Sequence, residues 1–374
     1  MKRCNATTAT ADAVADTAAW RIQESLRLFQ QATALNPHNV LNLKQVGRSL
    51  ALLGKHRQAV DVYQEAQKLS PDDWELWYSR GLCLSHLKDQ QDSALECFGC
   101  ANAIQPNDGT YIQIGQILAA RDQLSAAIDN YGEALQQSPE SPELLTALGL
   151  LLLRAGDSQR AFDQLGASLL HEPRGARAIL AAGSIIQDHG DHDAALVKYR
   201  VAAVVEPHCP QLWNNIGMAF FGKQARRYIA AISCLSRALY LAPFEWLTAH
   251  NLGLAYLAAG QAASAFQHLS AAVNLKPDFA PSYMLLAVAL ERLQDPDNAR
   301  AACERALQLD PREPLVHLNC AVMLHNQGDG AGAAARLAAF RELSAEPEEA
   351  ARLAADPEVE EAAAALELAL GQRG

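Results

Sequence analysis

The sequence predicts an all-α solenoid, a right-handed superhelix of stacked helical hairpins, and three regularities predict it. Prolines recur at Pro37, Pro71, Pro106, Pro139, Pro173, Pro207, Pro243, Pro277 and Pro311, with gaps of 33 to 36 residues. A small residue keeps step with them, at Gly47, Gly81, Gly115, Gly149, Gly183, Gly217, Gly253, Ala287 and Ala321. Twelve to fourteen positions later comes another, at Ala59, Ala94, Ala127, Ala161, Ala195, Ala231, Ala265, Ala299 and Ala333. A single globular core has no reason to keep such time. A row of identical units does, because each buries its apolar face only against its neighbours.

A period of 34 residues is that of the tetratricopeptide repeat, a helix–turn–helix unit. Nine units follow, at 40–73, 74–107, 108–141, 142–175, 176–209, 210–245, 246–279, 280–313 and 314–347. The small residue of the first helix lets the two helices of a unit approach closely. In the second helix a bulky residue one turn after the alanine is expected to plug the gap between repeats, as at Tyr63, Phe98, Tyr131, Leu165, Tyr199, Leu235 and Leu269. These positions share one stripe at helical spacing. The proline then stops the helix, having no N–H to donate and a ring that clashes with the preceding turn. Turns such as Gly156-Asp157, Gly190-Asp191 and Gly328-Asp329 suit a helical hairpin.

The ends depart from the period. Ser25, Phe29, Ala32 and Pro37 fit the second helix of a preceding unit, so 20–39 reads as a half repeat and 1–19 as a frayed lead-in. Residues 348–374, rich in Ala and Glu with Leu353, Leu366, Leu368 and Leu370, read as a capping helix and tail, since a terminal repeat needs a polar outer face.

Composition narrows the function. Of 374 residues 50% are hydrophobic and 20% charged, which excludes a disordered chain. With 31 basic against 42 acidic residues the net charge is −11, so nucleic acid and anionic membrane are poor partners. No 18-residue apolar run predicts a membrane span. The eight cysteines are scattered through helical segments, and we expect reduced thiols that act as small packing groups in a cytosolic protein. Cys97 and Cys100 have metal-site spacing but no second pair, and His189 and His192 flank a polar turn. Nucleotide-binding loops and nucleophile elbows are lacking, so the reading is non-enzymatic, with no cofactor, metal or catalytic residue assigned.

Binding is the remaining class. The first helices should line an inner wall, which turns apolar from the fourth unit onward: Leu150, Leu153, Leu180, Met218, Phe221, Leu254, Leu257 and Met284. Such a strip marks a protein interface, unless part of it packs within its own repeats. Asn215, Asn251 and Asn319 hold the sixth position of three units, either to hydrogen-bond the backbone of an extended peptide or to pack and cap internally, and Asn214 at a fifth position joins the wall. The sixth unit is two residues longer, and its turn carries Lys223, Arg226 and Arg227, a basic loop for an acidic partner or simply a solvated turn.

Less regular stretches carry a more specific signal. They include 42–50 (Asn-Leu-Lys-Gln-Val-Gly-Arg-Ser-Leu), 178–184 (Ala-Ile-Leu-Ala-Ala-Gly-Ser), 212–218 (Leu-Trp-Asn-Asn-Ile-Gly-Met) and 240–244 (Tyr-Leu-Ala-Pro-Phe). Together with 230–235 and 283–290 they resemble the Bardet–Biedl syndrome protein four family, from roughly Ile22 to Asp329. Met1–Ala19, where such relatives carry further repeats, and the longer turn at Arg226–Arg227 depart from it. The resemblance implies a scaffold subunit of the BBSome, a coat-like complex that carries membrane proteins into and out of cilia with intraflagellar transport. It implies as partners a second tetratricopeptide subunit, β-propeller subunits and a small extended subunit, with intraflagellar transport trains and centrosomal proteins beyond them. The implied locations are cytoplasm, cilium, basal body and centrosomal region. The alternative is a cytosolic adaptor for chaperone or other peptide tails, whose clamp pairs Lys with Asn where this chain has Lys44 and Arg48.

Overall fold

The computed structural model describes residues 20–87, 89–222, 227–346, 349–350, 353 and 357–371, and every regular element among them is an α-helix. The chain divides into two compact units, Met1–Ala181 and Ala182–Gly374. The first begins with α1 (20–35) and the hairpins α2/α3 (Val40–Leu52, His56–Leu69) and α4/α5 (Trp74–Ser85, Gln91–Ile104). It continues with α6/α7 (Asp108–Ala120, Leu124–Gln137), α8/α9 (Pro142–Arg154, Ser158–His171) and the start of α10 (Ala176–Asp188). The second holds the rest of α10 with α11 (His192–Val205), then α12/α13 (Pro210–Gly222, Tyr228–Leu241) and α14/α15 (Trp246–Ala258, Ala262–Leu275). It closes with α16/α17 (Ala280–Arg292, Pro296–Leu309), α18/α19 (Pro314–Asn326, Gly330–Ser344) and α20 (Pro357–Gly371).

Local chemistry sets these boundaries. Asn39, Asp73, Asn107, Asp157, Asp191, Asp295 and Asp329 each accept a hydrogen bond from a free backbone N–H of the helix they precede. In the Gly156-Asp157 turn the glycine takes the left-handed conformation that ends one helix, at φ 86°, and the aspartate caps the next. At two equivalent turns the left-handed position falls to Asp122 (φ 62°) and Gln294 (φ 61°), which bear the crowding of a Cβ there.

The two helices of a hairpin approach closely at the small residue, as the repeat pattern predicts. The bulky residue, however, sits over that small residue inside its own hairpin and not between repeats. A Cβ placed on Gly47 would lie 2.7 Å from the Tyr63 ring, and one on Gly81 2.7 Å from that of Phe98. Tyr63, Phe98, Leu165, Tyr199, Leu235 and Leu269 are accordingly buried, as are the alanines of their stripe. In the eighth unit Ala287 replaces glycine and the smaller Cys303 replaces the large plug, both within one core cluster. Cys303 is bonded to Cys320, with Cα atoms 6.1 Å apart, which corrects the expectation of free thiols for these two and clips α17 to α18. Cys97 is buried, and burial pushes its thiol up. The last hairpin is covered by α20, whose Ala363 and Leu366 pack with Leu318, Leu337 and Phe340. Arg341 fastens this cover by donating to Glu360 (2.8 Å) and Glu367 (2.7 Å).

Two outcomes check this account. Gly47→Val should lower the stability of the chain by roughly 2–3 kcal/mol in urea denaturation, with part regained on adding Tyr63→Leu, because overpacking is the cause. Gln294→Gly should raise stability by about 0.5–1 kcal/mol by relieving left-handed strain; a lower melting temperature would contradict it.

Candidate functional site

In the second unit the first helices of successive repeats touch, α12 against α14 and α14 against α16. These helices carry Met218, Phe221, Leu254 and Met284, each half-buried. Met218 and Phe221 rest on a cluster of Leu235, Leu252 and Ala255, and Met284 on the cluster around Leu286 and Leu290. Met218, Phe221 and Met284 therefore each have a packed base and an accessible remainder, which is what a wall that grips a partner needs. Leu150 and Leu153 on α8 and Leu180 on α10 are likewise half-buried, within the first unit. Leu257 differs: at 5% exposure it belongs to the core with Ala265 and Leu269, because its position on α14 points it into its own repeat.

The asparagines are turned to one another. Asn251 donates its Nδ2–H to Asn214 Oδ1 at 2.9 Å, and Asn214 donates to Asn215 Oδ1 at 3.2 Å. Asn214 and Asn251 are 9% and 8% exposed, so their amides join α12 to α14, and of the two readings internal pairing describes them. A buried amide left without a partner would cost about 1–3 kcal/mol, and mutual pairing removes that cost. Asn215 keeps partial access. One repeat on, His250 Nδ1 lies 2.9 Å from Ser282 Oγ, linking α14 to α16 in the same manner. Burial holds the His250 imidazole down at about 4, so it is neutral at physiological pH.

The basic turn is covered in part. Lys223 and Arg226 lie outside the described residues, and Arg227 is an exposed residue directly ahead of α13. Lys44 forms ion pairs with Asp73 and Glu75, so the cation of the adaptor reading is already neutralised within the protein. Sequence reasoning missed a recurrent tie at the repeat boundary. The indole N–H groups of Trp77 and Trp213 donate to the carbonyls of Pro71 and Pro207 at 2.8 and 2.9 Å, and His317 Nε2 lies 2.9 Å from Pro311 O. The signal was a ring N–H six residues after the helix-ending proline. It also missed His250 with Ser282, because a His–Ser pair 32 residues apart has no local pattern. Among the described residues no group of three or more His, Cys, Asp or Glu side chains could hold a metal ion, and no helix is long and apolar enough to cross a membrane.

The tetratricopeptide repeat family model matches residues 46–98, 250–314 and 285–349, and a TPR repeat model matches 115–156. The chain is 49% identical over 352 residues to the BBSome complex member BBS4 of Bos taurus, covering 93% of this chain and 67% of that protein. It is 50% identical over 322 residues to the Mus musculus protein of the same name, covering 86% and 61%. The chain belongs to the BBS4 family. The BBS4 protein of Xenopus tropicalis is 52% identical over 333 residues, 87% of this chain and 64% of its own length. The chain thus spans about two thirds of the length of these BBS4 relatives. Among solved structures, the anaphase-promoting complex hetero-tetramer Cut9-Hcn1 matches 92% of this chain and 82% of its own at 16% identity and a TM-score of 0.57, a likeness of fold alone.

His250 provides a check on the buried ladder. Its folded-state pKa lies below the ordinary 6.5, so the unfolded chain binds the proton more readily. The stability it contributes is complete above pH 6.5 and is lost as pH falls toward 4. His250→Gln should therefore flatten the fall in stability over that window, by up to roughly 3 kcal/mol, in urea titrations at stepped pH.

Proposed function

We propose that this chain is a non-enzymatic scaffold subunit of the BBSome, serving the trafficking of ciliary membrane proteins together with intraflagellar transport. The observation that carries the reading is 49–52% identity, over most of the chain, to proteins named BBSome complex member BBS4. The repeat fold supports it, because stacked hairpins present long surfaces to partners and hold no preorganised reaction centre. Its partners in this reading are the other subunits of the complex: a second tetratricopeptide protein, β-propeller proteins and a small extended subunit. Intraflagellar transport trains and centrosomal proteins are transient contacts, and the working place is the cytoplasm, the basal body and the cilium.

For the extended subunit we assign the half-buried apolar wall, with Met218, Phe221, Leu254 and Met284 as anchors and Asn215 as the accessible amide. The assignment rests on the combination of fixed base and accessible remainder in Met218, Phe221 and Met284. Leu150, Leu153 and Leu180 form the corresponding set in the first unit. Arg227, with Lys223 and Arg226, is kept as a contact for an acidic partner.

The test is a triple variant, Met218→Glu, Phe221→Glu and Leu254→Glu, expressed in ciliated cells. It should fail to co-purify the other subunits while its far-UV circular dichroism still reads as folded helix. Recovery of the full complex with this variant would refute the wall assignment, and failure of the unaltered chain to recover any subunit would refute the assembly reading itself.

A further inference from the structure

A cleft of about 660 Å³ opens in the first unit between α2 and α4, a size suited to a bound peptide side chain and its neighbours. Its lining combines the rings of Trp74 and Tyr78 with the basic and imidazole groups of Lys44, Arg48, His56 and His86. Lys44 is engaged by Asp73 and Glu75. Arg48 is exposed, and among the described residues no carboxylate pairs with it. Its charge reaches the Tyr63 hydroxyl inside the cleft. On the same lining the His56 and His86 rings stack with centroids 4.5 Å apart. His56 Nδ1 is buried and has no hydrogen-bond partner among the described residues. A guanidinium without an anion and a buried imidazole nitrogen without a partner thus border one cleft, beside aromatic surface.

We propose that this cleft binds an acidic peptide segment of a partner protein, with an Asp or Glu side chain seated between Arg48 and the His56–His86 pair and an adjacent apolar side chain against Trp74 and Tyr78. A carboxylate supplies the charge partner of Arg48 and a charge-assisted acceptor for a protonated imidazole. Exposed ion pairs alone contribute little, so the aromatic contact is needed for useful affinity, and this selects a peptide over a free anion. The proposal is independent of the assembly reading, since none of Met218, Phe221 and Leu254 lines the cleft.

Protonation follows from the same geometry. Burial first, and the neighbouring His86 second, hold the His56 imidazole below its ordinary range. A seated carboxylate favours the charged imidazole, so binding takes up a proton and tightens as pH falls. The other groups facing the site are Lys44 and Arg48 of α2, Tyr63 of α3, and Glu75, Cys83 and His86 of α4. Tyr63 and Cys83 are pushed up to about 12 and about 11, well outside the histidine range.

The test uses the full chain and fluorescence anisotropy. The probe is a fluorescein-labelled decapeptide rich in Asp and Glu with one Leu and one Phe, compared with its Asn/Gln counterpart. The acidic peptide should bind about tenfold or more tighter, and Arg48→Ala and His86→Ala should each weaken it about five- to tenfold. Raising the pH from 6 to 8 should weaken binding about threefold or more in the unaltered chain and leave a His56→Ala, His86→Ala variant unchanged. Arg48 and His86 are exposed, so these single variants retain the fold, which circular dichroism verifies. Equal binding of the two peptides, no binding of either, unchanged affinity on Arg48→Ala, or displacement by inorganic phosphate at the peptide's own concentration would overturn the proposal.

Discussion

The contact between a bare glycine on one helix and a large side chain on the next carries the rest of this molecule. Where Tyr63 lies over Gly47 or Phe98 over Gly81, two helix backbones approach to a distance that a Cβ would prevent. That approach fixes the angle within the hairpin, and the second helix then packs on the first helix of the following repeat. Both requirements are steric. For this reason the plug varies freely among Tyr, Phe and Leu while its volume stays matched to the floor beneath it. Ala287 with Cys303 obeys the same rule with a raised floor and a shorter plug.

On the first helices the demands differ. Their apolar residues serve the core at the base and remain partly accessible above it, and the polar residues among them must satisfy one another where water is excluded. The Asn251–Asn214 and His250–Ser282 bonds do so between successive repeats. Unlike apolar packing, such bonds tolerate little sliding, so they hold α12, α14 and α16 in register and keep the surrounding apolar side chains in place. An interaction surface benefits from being preorganised in this way.

Much of this was legible in the sequence, because each repeat obeys local rules that recur. Helix ends came from the prolines and the Gly-Asp turns, and the close approach within each hairpin from Gly47 and its counterparts. What stayed hidden depends on contacts between residues one repeat apart. Asn214 and Asn251 sit 37 residues apart, and the pattern alone did not tell an amide facing a partner from one facing another amide. Leu257 sat at the edge between inner wall and core, where a modest rotation of the helix decides its side. The cleft at Arg48 joins residues from α2, α3 and α4 that share no motif, and the Cys303–Cys320 bond links a plug position to the following first helix.

In the sixth repeat, α12 and α13 span 13 and 14 residues, as do α14 and α15, so both helices keep the length of their counterparts although the repeat is two residues longer. Variation in length is therefore quantised. An insertion inside a helix would rotate every later side chain of that helix by about 100° and lift its plug off the glycine. The turns absorb single residues without such a penalty, and a whole repeat can be gained or lost with its neighbours' contacts reproduced. A family built on this contact changes its reach in steps of one hairpin and its surface chemistry one turn at a time.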